Sequence, residues 1–140
     1  MRFLPTKVHG ALDYLVGILL IAAPWLFGFA HGGLETWLPV ILGASALIYS
    51  LCTAYEAGAF KLIPMSVHLW IDILSGALLA ASPWLFGFND RVYIPHLAFG
   101  IFEMMAAIIT RTRPHDANTE KYVQRHYQKQ ARGRHNPAHN

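Results

Sequence analysis

Four transmembrane helices, joined as two tandem helical hairpins in an all-α membrane bundle, are the fold this sequence predicts. Three observations predict it. A stretch of 22 residues occurs twice, four apolar segments of membrane-crossing length are separated by short turns, and residues 8–110 contain only Lys61 and Arg91 as basic residues. An internal duplication sets the architecture before any single element is read. VHGALDYLVGILLIAAPWLFGF (Val8–Phe29) returns as VHLWIDILSGALLAASPWLFGF (Val67–Phe88), 59 residues further on, with 14 of 22 positions identical.

The composition supports the same class. Hydrophobic residues make up 54% of the 140, charged residues 14%, and mean hydropathy is +0.33. Soluble domains carry about a quarter charged residues, so this chain lacks the surface that water requires. Seven of its 11 Lys and Arg lie from Arg111 onwards, which divides it into a membrane body (1–110) and a basic tail (111–140). Cys52 is the sole cysteine, which excludes an intramolecular disulfide and a thiolate metal cluster.

The first span is expected over about Val8–Phe27, enough to cross ~30 Å of hydrocarbon. A basic lead (MRFLPTK) precedes it, as in a signal peptide. Repetition of the same segment at Val67 argues instead for an anchor that is retained. The Gly-rich turn Ala30–Glu35 leads to a second span at about Thr36–Tyr55. Glu56–Pro64 forms the next break, and the third span, about Met65–Phe86, is the second copy of the opening stretch. Asn89–Tyr93 then turns the chain into a fourth and shortest span, about Ile94–Thr110, which carries His96 and Glu103. The repeats thus cover about 8–55 and 67–110. Each contains two crossings, so the halves should be related by a pseudo-twofold along the membrane normal. Between the second helices the likeness is weak; laying Gly43 on Gly100 sets Glu103 opposite Ala46.

Charge predicts the orientation. Arg2, Lys7, Lys61 and the seven basic tail residues fall on one side, Arg91 alone on the other, which places both termini in the cytoplasm of an inner cell membrane. Trp25, Phe27, Phe29, Trp37, Trp84, Phe86, Phe88 and Tyr93 gather at the opposite ends of the spans, as an interfacial aromatic belt does. The lipid bilayer is therefore the first partner. The tail, with a net charge of about +5 and few aliphatic residues, is expected to remain unfolded or to lie along anionic lipid headgroups. No nucleic-acid-binding module is present.

His9 and Asp13 stand four residues apart and share a helix face with Gly17; His68, Asp72 and Gly76 repeat the pattern. A carboxylate inside a membrane is costly and normally faces a partner within the bundle. With Glu103 at comparable depth, His9, Asp13, His68, Asp72 and Glu103 form a candidate buried polar layer. Gly17 and Gly76 are expected to let the first and third helices approach closely. The layer admits three uses: hydrogen-bonded pairs that lock the helices, a proton or cation relay, and a haem or metal site at His9 and His68. No resident cofactor is required by the first two. At the other end of each copy, Pro24-Trp25 and Ser82-Pro83-Trp84, followed by Leu-Phe-Gly-Phe, read as helix terminators and interface anchors.

A two-helix repeat with Ser-Pro-Trp near the outer end of its first helix resembles the SPW-repeat family of small prokaryotic integral membrane proteins. The motif stands intact at Ser82-Pro83-Trp84 and as Ala23-Pro24-Trp25 in the first copy. The resemblance spans about residues 8–110 and implies tandem two-helix membrane units without implying a reaction. No nucleophile–base pair, phosphate loop or dinucleotide motif points to catalysis. The reading is a structural, interaction or accessory membrane protein, homo-oligomeric or held by another membrane protein. A small proton- or cation-coupled transporter is the alternative, and a haem- or metal-binding membrane protein the second.

Overall fold

The computed structural model describes residues 2–113 together with residue 128; the expected basic tail lies almost wholly outside them. Four helices follow one another: α1 (Thr6–Leu26), α2 (Leu34–Leu51), α3 (Met65–Leu85) and α4 (Ile94–Ile109). Among the described residues there is no strand, only two isolated bridges, Leu4 with Thr110 and Thr53 with Ile63.

Prolines and glycines set the helix ends. Pro5 and Pro64 hold extended backbone, with ψ of 144° and 143°, and each is the residue from which its helix starts. At the far ends Gly28 and Gly87 turn to φ of +72° and +69°, a left-handed stop that an ordinary side chain would resist. The chain leaves α2 at Leu51, four residues before the expected end. There Ala54 donates to the carbonyl of Ile63 at 2.8 Å, and Tyr55 tucks under the bundle, fully buried beside Met65, Leu69 and Ala107.

α1, α2 and α3, with 21, 18 and 21 residues, are long and apolar enough to cross a membrane; α4, with 16, is shorter. Leu15, Ile18, Ile41, Ile48, Trp70, Leu74, Ile101 and Met105 are exposed on their outer surfaces, so the bundle presents hydrocarbon where a soluble protein presents charge. Packing is tightest within each hairpin, α1 on α2 and α3 on α4. A Cβ placed on Gly43 would lie 2.6 Å from the Gly17 carbonyl oxygen, and one on Gly76 would lie 2.7 Å from that of Gly100. The close approaches that the sequence placed between α1 and α3 thus lie within the hairpins, Gly17 against α2 and Gly76 against α4. Short connections explain the difference, because consecutive antiparallel helices pack on each other first.

Candidate functional site

The first turns of α1 and α3 carry the candidate side chains, and helical spacing brings each His over the Asp one turn on. Pro5 starts α1 four residues before His9, and Pro64 starts α3 four residues before His68. The two pairs meet at the bundle centre and cross. His9 Nε2 lies 3.0 Å from Asp72 Oδ2 on the other hairpin and 3.2 Å from its own neighbour, Asp13 Oδ1. His68 Nε2 lies 3.0 Å from Asp13 Oδ2 and 3.3 Å from Asp72 Oδ2. The result is a closed ring, with Asp72 Oδ2 between the two imidazoles on one side and the two oxygens of Asp13 between them on the other. His9, His68 and Asp72 are buried, and Asp13 is 12% exposed.

Threonines fix the outer nitrogens of both rings. Thr53 Oγ1 donates its one hydrogen to the carbonyl of Tyr49 at 2.7 Å, so at 2.8 Å from His68 Nδ1 it can only accept. Thr110 Oγ1 likewise donates to the Ala106 carbonyl at 2.6 Å and faces His9 Nδ1 at 2.9 Å. Both imidazoles therefore carry hydrogen on Nδ1 and turn Nε2 towards carboxylates. The support is reciprocal: the hairpin that owns Thr53 steadies the other's His68, and Thr110 returns the bond to His9.

Further donors converge on the carboxylates. The Tyr49 hydroxyl donates to Asp72 Oδ1 at 2.7 Å, Ser50 to Asp13 Oδ2 at 3.4 Å and Tyr55 to the same oxygen at 3.5 Å. Burial pushes the Tyr55 hydroxyl well above the usual phenol range, so it stays a neutral donor. Glu103 stands beside the ring rather than in it. Its Oε1 accepts from Ser75 at 3.3 Å, while Oε2 is buried without a partner. Glu103, His9, Asp13 and Tyr49 border one small cavity of about 10 Å³, room for a single water at most.

The two His–Asp pairs, one from each copy of a tandem repeat, coincide with a family match. The model of the SPW repeat domain matches residues 7–110. The chain belongs to the SPW-repeat family. It is accordingly a membrane protein, and the resemblance read from Ser82-Pro83-Trp84 holds across both copies. No curated protein and no solved structure matches the chain.

Geometry also gives the SPW motif a local meaning. Pro83 lies inside α3 and has no N–H for the carbonyl of Leu79, four residues back. The buried Ser82 hydroxyl donates to that carbonyl at 2.7 Å. The motif's serine thus replaces the hydrogen bond that its proline removes. In the first SPW copy, Ala23 before Pro24 cannot do this for Leu20. A second instance occurs in α2, where Pro39 leaves the Glu35 carbonyl open and His96 Nε2 donates to it at 3.0 Å. The His96 ring lies between Phe29 and Phe88, the last residues of the two SPW copies, with ring centroids 5.3 and 5.1 Å away. Trp25 and Trp84 point outwards, 60% and 53% exposed.

Thr53, Thr110 and Tyr49 were not singled out in the sequence. A signal for the threonines was present: each lies ten residues after the glycine at its hairpin's close contact, Gly43 or Gly100. Nothing comparable marks Tyr49, whose counterpart at that offset is Ala106.

Proposed function

We propose that this SPW-repeat protein is a non-catalytic scaffold or accessory unit of the cell membrane. In this reading His9, Asp13, His68 and Asp72 fasten its two hairpins. The observation that carries it is the reciprocity of the ring: each His Nε2 reaches the other hairpin's Asp, each Nδ1 reaches the other hairpin's Thr, and Tyr49 reaches Asp72 across the same divide. Hydrogen-bonded side chains give helices in lipid a specificity that hydrocarbon packing lacks. Ten basic residues at the end bearing the termini, against Arg91 at the other, favour cytoplasmic termini, with the tail drawn to anionic headgroups. The apolar flanks are free for a second copy or another membrane protein.

One observation favours a second reading, a proton or cation relay. Glu103 Oε2 is buried without a partner beside the ring, and intramembrane carboxylate–histidine clusters serve such relays. One experiment separates the two. The wild type and the His68→Ala and Asp72→Asn variants are reconstituted in liposomes and followed for unfolding and for proton flux. Fastening predicts no flux through the wild type and a loss of about 3–5 kcal/mol of stability in each variant, because one partner of a buried pair is left behind. Wild-type flux abolished by both variants without loss of stability overturns it.

A further inference from the structure

We propose that the ring of His9, Asp13, His68 and Asp72 is a binding site for a divalent metal ion of the zinc class, with one ligand atom from each residue. The proposal deepens the fastening reading, since the ion would join one His and one Asp from each hairpin.

Four features of the ring carry it. First, each Nε2 faces two carboxylate oxygens, and oxygen can offer it nothing but lone pairs; the centre needs either two added protons or one cation. Second, the distances admit the cation, two of the four contacts being of ordinary hydrogen-bond length and two longer. An imidazolium N–H giving a charge-assisted bond sits ~2.7–2.9 Å from its carboxylate. The Nε2–oxygen separations are 3.0 and 3.2 Å at His9 and 3.0 and 3.3 Å at His68, Asp13 turning Oδ1 to the first ring and Oδ2 to the second. In a tetrahedral site with bonds of ~2.0–2.1 Å, neighbouring ligand atoms stand ~3.3–3.4 Å apart. One ligand atom from each of the four residues lies within 4.8 Å of all the others, so small side-chain rotations close the set.

Third, each histidine already holds Nδ1 in the hydrogen bond that a metal-bound imidazole makes. A ligating His donates its other ring nitrogen to a fixed acceptor, which orients the ring and sets the tautomer; Thr53 and Thr110 are those acceptors. Fourth, charge closes. Two carboxylates, two neutral imidazoles and a divalent cation sum to zero, which is what a site within a bilayer needs. Nitrogen and carboxylate oxygen without thiolate suit Zn²⁺ and also Co²⁺, the spectroscopic probe.

The test uses the full-length protein in lipid nanodiscs, stripped with a chelator and titrated with Zn²⁺ by calorimetry and with Co²⁺ by visible absorption. The tail holds four further histidines, so a His115→Ala, His126→Ala, His135→Ala, His139→Ala variant is run beside the wild type. The site predicts one ion per chain, intense four-coordinate Co²⁺ bands, and both retained in the tail variant. Affinity should fall more than ~100-fold in His9→Gln and His68→Gln and ~10–100-fold in Thr53→Val, with Thr53→Ser restoring it. Absence of stoichiometric binding by the wild type, binding lost with the tail histidines, or binding unchanged in His9→Gln with His68→Gln overturns the proposal. Unfolding measured on the stripped samples keeps the two readings apart. If the wild type takes no metal while His68→Ala still melts early, the metal site falls and the fastening reading stands.

Discussion

Each proline inside these helices leaves one carbonyl without its usual N–H, and in α2 and α3 a side chain answers it. Ser82 serves the Leu79 carbonyl before Pro83, and His96 serves Glu35 before Pro39. Because a buried unpaired carbonyl costs about 1–3 kcal/mol, Ser82→Ala should lower stability by that amount in denaturant unfolding of the detergent-solubilised protein. Ala23→Ser in the first copy should raise it. Equal midpoints for Ser82→Ala and the wild type would remove this account of the motif. Tyr49→Phe offers a sharper residue-scale test, since its hydroxyl donates to a buried carboxylate. Hydrogen bonds to charged groups contribute about 1.5–3 kcal/mol, and a loss in that range is expected on unfolding. That His9 shares a helix face with Asp13, and His68 with Asp72, was legible from spacing alone. Their crossed pairing was not, because an i, i+4 spacing looks the same whether a His meets its own Asp or one on another helix. Thr53 and Thr110 stayed hidden because small hydroxyl residues at helix ends pass for caps or turns.

At the scale of the helix, the paired glycines decide which helices touch. Gly43 and Gly100 each meet the backbone of the preceding helix at a distance that leaves no room for a Cβ. A backbone atom cannot rotate away as a side chain can, so Gly43→Val or Gly100→Val should cost at least the ~1–3 kcal/mol of ordinary overpacking. Gly28 has open space around a Cβ; Gly28→Ala meets only the strain of its positive φ and should cost less. Thermal aggregation midpoints of the three variants give the ranking. Helix positions were legible within a few residues because apolar length and proline–glycine punctuation are local properties. The partner of each glycine was not, since repeat alignment places Gly17 and Gly76 at equal depth without saying which neighbour either faces.

On the scale of the whole molecule, neither hairpin completes its own polar groups. His9 needs Thr110 and His68 needs Thr53, across 101 and 15 residues of sequence. If residues 1–58 and 59–140 are expressed as separate chains with a tag on one, the halves should co-purify from membranes. Asp72→Asn in the second half should release the first, because His9 loses its nearest carboxylate oxygen. Recovery of the pair undiminished by Asp72→Asn would show that hydrocarbon packing alone holds the hairpins together.

That exchange of threonines has a consequence for how such a chain could arise. In a single hairpin the His Nδ1 would lack its threonine and the Asp its second imidazole, yet two copies supply both by trading bonds. The ancestor consistent with these contacts is a two-helix peptide that worked as a homodimer, later joined end to end by gene duplication. Fusion then freed the copies to diverge. Glu103 against Ala46 and Tyr49 against Ala106 mark where the two copies differ, each a polar group on one side of the centre without a counterpart on the other.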